Sequence, residues 1–226
     1  MNKILDYLTG LEANNNAEWY HAHKAERLEA CAEFEELIGA LISEIGQIDK
    51  SIIYNVPKEL TFKLNRDTRF GNDKSPYNPC MRAHIAAHGK LPIPVGYFIA
   101  IRPGGRSFLG GGLFADMFKD ATSMIRDYVA AHGDELNKIV ADENFAKRFV
   151  VMGSALKKVP NGYDPASPYA EWLKFKCMYV EYPLADEMLV EPDFIKTATE
   201  VFLAMKPFND FLNRALKDFE MPARPR

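Results

Sequence analysis

The sequence predicts an α+β domain in which a central, mainly antiparallel sheet of about five strands is flanked by N-terminal and C-terminal helices. Near both ends of the chain apolar residues recur at three- and four-residue steps, the helical period. In the middle, short runs alternate apolar with polar residues, the period of a strand with one buried face. No stretch is rich enough in linker residues to divide the chain, so residues 1–226 read as a single domain with a tail that frays from about Met221, where MPARPR carries two prolines.

A short helix is expected from Lys3 to about Leu11. The next helix is expected to start at Asn14-Asn15-Asn16, with Glu18 three residues after Asn15 as in a capping box, and to bury Leu28, Cys31, Phe34, Ile38, Leu41, Ile42 and Ile45 along one stripe. After Pro57 the period changes: Leu60, Phe62 and Leu64 alternate with Thr61, Lys63 and Asn65, which predicts a strand. Met81 to Ala87 and Val95 to Arg102 are the next two strands, the second ended by Pro103-Gly104-Gly105. Ser107 to Phe114 forms the other arm of that hairpin, loosened by Gly110-Gly111-Gly112. Helices return over Met117 to His132, with Asp116 as N-cap and Gly133 as C-cap, then in a short pair to about Val151. Lys176 to Tyr182 reads as one more strand, and Asp193 to Phe219 as a long closing helix.

With 47% hydrophobic and 26% charged residues the chain has the composition of an ordinary globular protein. A net charge of −3 argues against wholesale binding to nucleic acid or anionic membranes, which requires a basic surface. Three scattered cysteines without a CxxC pair fit free thiols in a reducing compartment, and the cytoplasm is expected. The first residues lack the pattern of a signal peptide, and no apolar run approaches the roughly 20 residues of a membrane span.

The densest polar stretch is LNRDTRFGNDKSPY, Leu64 to Tyr77. Arg66 and Arg69 can converge on one oxyanion, because guanidinium presents a planar fork matched to carboxylate or phosphate. Asp67 and Asp73 would orient those forks, Lys74 would add a point charge, and Phe70, Pro76 and Tyr77 would stiffen the turn. An ion-pair knot that fixes the turn without binding anything uses the same residues. Strand parity places Lys63, Asn65, Arg82, His84 and Arg102 on polar faces opposite apolar ones, either as a solvated sheet surface or as a cationic floor beside the turn.

The run NRDTRFGNDKSPY, with NNNAEWYHAHK near the start, GGGLF after the hairpin and LKKVPNGYDPASPYAEWLKFK later, resembles an uncharacterised bacterial family, domain of unknown function 2461. The resemblance spans nearly the whole chain. The family pattern is an RDxRF turn followed by DKxPY, matched here by Arg66, Asp67, Arg69, Phe70, Asp73, Lys74, Pro76 and Tyr77. Gly71 and Asn72 depart from the Ser-Lys common between these blocks, which lowers the local positive charge. The resemblance implies no reaction.

Other chemistries are poorly supported. His21 and His23 are two apart and do not share a helix face, and the glycine run lacks the lysine and spacing of a P-loop, so neither a metal nor a cofactor is expected. Ser75, Cys80 and His84 form no nucleophile elbow, and cations flanking Asp67 and Asp73 would lower their pKa values, which suits orienting groups better than proton donors. The expectation is a pocket built on the Arg66 to Tyr77 turn and extended by Arg82, His84 and Arg102, binding a small anionic ligand with phosphate or carboxylate; whether the ligand is turned over is open. The alternative is an interaction module that docks an acidic partner or a nucleic-acid end on a flat cationic surface.

Overall fold

The computed structural model describes residues 1–69 and 72–222. Phe70, expected to anchor the charged turn, and the part of the expected frayed tail beyond residue 222 lie outside the described residues.

Mixed helices surround an antiparallel sheet, as the two sequence periods predict. Strands β1 (Met81–Ile85), β2 (Tyr97–Ile101), β3 (Ser107–Leu113) and β4 (Met178–Leu184) lie side by side in chain order, every neighbouring pair antiparallel. Helices α1 (Asn2–Ala13), α2 (Ala17–Ala22), α3 (Lys24–Ile45) and α4 (Pro57–Leu60) precede the sheet. Between β3 and β4 run α5 (Lys119–Ala141), α6 (Glu143–Ala146) and α7 (Ala170–Leu173), and α8 (Asp186–Val190) and α9 (Phe194–Ala215) follow.

Strand alternation divides the sheet into two faces. Met81, Ala83 and Ile85 of β1, Ile99 and Ile101 of β2, Leu109 and Leu113 of β3, and Val180 of β4 all point into the core. There they meet α9, whose buried Val201, Phe202, Met205, Phe208 and Leu212 recur at helical spacing, with α3 and α5 packed beside it. The other face carries Arg82, His84, Phe98, Ala100 and Phe108, and it is the floor of the site described below.

Three expectations change. Among the described residues the sheet has four strands, because the stretch expected as a strand from Leu60 splits: Pro57 at the first helical position starts α4, which ends at Leu60. Only isolated bridges follow, Thr61 to Ala83 and Asn65 to Tyr77. The helix expected from the asparagine run is broken at His23, whose ring stacks on Trp19 at 4.0 Å while its Nδ1 meets the Trp19 carbonyl oxygen at 2.9 Å. Asn16 is the N-cap there, accepting from the Trp19 amide, and Asn15 instead exchanges two hydrogen bonds with the Tyr77 backbone. Finally, α5 runs through Gly133 with a kink at His132. Gly133 packs so closely under the Tyr169 ring that a β-carbon would lie 2.3 Å from it, and Asp116 accepts from Ser154 and pairs with Lys176 instead of capping the helix.

Candidate functional site

The hollow on the sheet's second face originates in an alternation of large and small side chains across the strands. In one cross-strand row Arg82 faces Ala100, which faces Phe108; in the next His84 faces Phe98, which faces Gly110. Ala100 and Gly110 leave gaps between bulky neighbours, and the Phe114 ring folds back over Gly110, where a β-carbon would come within 2.8 Å of it. The resulting cavity has a volume of about 740 Å³.

Phenylalanines wall it. The Phe98 ring lies 5.3 Å from Phe114, 5.9 Å from Phe108 and 6.2 Å from Phe62, distances at which aromatic rings attract through offset or tilted contacts. Four cations, Arg82, Arg102, Arg106 and Lys90, share the lining with the polar Asn78, Cys80 and His84, and there is no aspartate or glutamate among the described lining residues.

These cations differ in their partners. Glu12, in the last turn of α1, reaches the rim and accepts from both Arg102 (3.2 Å) and Arg106 (3.0 Å, with a second bond from its other guanidinium nitrogen). Hydrogen bonds from Arg106, then from Arg102, hold the Glu12 carboxyl below the usual range despite an opposing desolvation cost. The hairpin between β2 and β3 positions both arginines. Ser107 Oγ accepts from the Arg102 amide and donates to the Arg102 carbonyl, Gly104 and Gly105 adopt positive φ, and their amides donate to the Asp186 carboxylate. Lys90 donates to the Thr61 carbonyl. Arg82 lies against the Phe62 ring, 5.5 Å from its guanidinium carbon, and among the described residues its side chain makes no hydrogen bond or ion pair, its buried Nε included. The Arg102 Nε is orphaned in the same way.

Two further groups define the chemistry. Burial pulls the His84 imidazole down to about 4, against smaller opposing effects from the Leu91 and Lys90 backbone, so it is neutral at physiological pH. Burial raises the Cys80 thiol more than Arg82, Arg102 and Arg106 lower it, so Cys80 lines the hollow as a thiol.

Of the residues expected at the site, Arg82, His84 and Arg102 meet in this hollow, while the half-buried Arg66, whose Nε also lacks a hydrogen-bond partner among the described residues, and the exposed Asp67, Arg69, Asp73 and Lys74 lie outside its lining. Arg66 pairs with Asp73; Arg69 donates to Asp67 from Nε (3.0 Å) and from a terminal nitrogen (2.7 Å); Lys74 donates to the Thr68 carbonyl. Side-chain and backbone hydrogen bonds from Arg69 hold Asp67 at about 2, and those from Ser75 lower Asp73. Tyr77 is buried, its ring stacked on Tyr20 at 3.8 Å. Sequence reasoning missed Arg106, Lys90, Glu12 and the four phenylalanines. Strand parity could have found Phe98, which lies two residues from Ala100 on the same face as Arg102, but nothing local marks Glu12 as a partner of residues some 90 positions away.

Fold and hollow define a class: a helix-backed antiparallel sheet that presents a cationic, phenyl-walled hollow on its opposite face. The family model described as conserved hypothetical protein (DUF2461) matches residues 3–211, and the chain belongs to that family. No curated protein and no solved structure matches the chain. Among the described residues no helix is long and apolar enough to cross a membrane.

Proposed function

We propose that the protein binds a small organic anion in the sheet-face hollow, with Arg82 as the principal contact, Lys90 and the Arg102–Arg106 pair contributing positive potential, and the phenylalanines holding the body of the ligand. The observation that carries this reading is the Arg82 guanidinium, which lines a hollow with no aspartate or glutamate among its described lining residues and makes no side-chain hydrogen bond or ion pair with any described residue. A carboxylate or phosphate is the acceptor that its planar fork fits.

The Arg66 to Tyr77 turn supports this face from outside. Its exit carries Asn78 and Cys80 into the lining, while the carboxylates of Asp67 and Asp73 engage its own arginines. A recessed, phenyl-walled cavity favours a small molecule over a docking module, which would offer a flat or protruding cationic surface. A protonated Cys80 favours binding over covalent capture. The free thiols Cys31, Cys80 and Cys177 accord with a bacterial cytoplasmic setting.

Thermal unfolding with a panel of organic acids, sugar phosphates and nucleotides tests the reading. A ligand at a hundredfold excess over its Kd adds about 2.7 kcal/mol, which for a chain of this size raises Tm by roughly 5–10 °C. Arg82→Gln should abolish the shift while Arg69→Gln retains it. A panel without any shift, or a shift that survives Arg82→Gln, removes the proposal.

A further inference from the structure

Resting on the reading above, we propose that the ligand is an apolar carboxylate, an aryl or short alkyl acid with a single negative charge, and that Glu12 sets this preference by occupying Arg102 and Arg106.

The walls determine the body of the ligand. Phe62, Phe98, Phe108 and Phe114 offer neither donors nor acceptors, so the hydroxyls of a sugar phosphate or the edge of a nucleobase would lose water there without replacement partners. A phenyl ring or an alkyl chain loses nothing, and the ring spacings already present, 5.3–6.2 Å around Phe98, are those at which another ring packs.

The charges determine the head group. Three guanidiniums around one cavity would ordinarily suit a phosphate dianion. Here a single carboxylate bridges two of them, so the pair contributes one net positive charge where it would contribute two, and the Arg82 fork donates to no acceptor among the described residues. Glu12 stands in the last turn of a helix, where the C-terminal dipole disfavours an anion, so its place at the rim depends on the two arginines that receive it. Held ionised, it repels the second charge of a dianion more than it disturbs a monoanion on Arg82, and it leaves no open fork for the extra phosphate oxygens.

Calorimetric titration of the full chain with phenylpropanoate and its matched phenylethylphosphonate, at mildly alkaline pH where the phosphonate is doubly charged, tests this. The wild type should bind the carboxylate roughly tenfold tighter than the phosphonate, and glucose phosphate more weakly than either. Glu12→Gln, which frees two guanidiniums, should shrink or invert that ratio, and Glu12→Asp, too short to span both arginines, should fall between. Tighter binding of the phosphonate or of glucose phosphate by the wild type, abolished by Arg82→Gln, overturns the carboxylate assignment and leaves the anion site standing. An unchanged ratio in both Glu12 variants overturns the role of Glu12. Failure of every anion to bind overturns the site itself.

Discussion

His84 shows how burial of one side chain becomes a property of the whole fold. Desolvation lowers its folded-state pKa from about 6.5 to about 4, so between those values the unfolded chain takes up a proton that the folded chain refuses. Stability therefore falls as pH drops through that window, by up to about 3 kcal/mol from this one group. Urea unfolding from neutral pH to about pH 4 should show the loss, and His84→Gln should flatten it; an equally steep profile in the variant would mean that other groups carry the acid sensitivity. Asn15 makes a different point. Its side chain closes two hydrogen bonds on the Tyr77 backbone, of 2.9 and 3.0 Å, and so ties the exit of the charged turn to the start of α2. In the sequence it is one of three consecutive asparagines, and nothing in the run distinguishes the cap from the tether.

At the level of elements, the strands that carry the hollow were readable because each buries one face and exposes the other. Arg82, His84 and Arg102 could be assigned to a shared surface from parity alone. The elements that were misread depend on partners distant in sequence. Residues 60–65 alternate like a strand, yet a helix-starting proline and the pairing of Asn65 with Tyr77 divert them. Gly133 has the identity of a C-cap and serves as packing space for Tyr169. The glycine run in β3 includes Gly112, where φ is +92° and a β-carbon would lie 2.5 Å from the Met178 carbonyl oxygen of β4, a close approach that leaves the strand register unbroken. Gly112→Ala should therefore cost about 3 kcal/mol, read as a lower urea midpoint with an unchanged m value. A loss below about 0.5 kcal/mol would mean that the strands separate without strain.

Across the whole molecule, the net charge of −3 hides a local excess of cations on one side of the sheet, paired with rings that gain by leaving water. Ligand entry should accordingly give a clearly negative heat-capacity change in titrations at several temperatures; a value near zero would place the ligand at the charged rim, outside the rings. Every described residue lining the hollow falls between Phe62 and Ala115, whereas the backing of the sheet comes largely from α3, α5 and α9, outside that window. The lining and the helices that back the sheet thus come largely from different stretches of the chain, with Glu12 of α1 reaching the rim from outside the window. Substitutions of the side chains that face the hollow can alter what is held while the core-facing side chains of the same strands stay in place, an arrangement that lets one architecture diversify among related molecules.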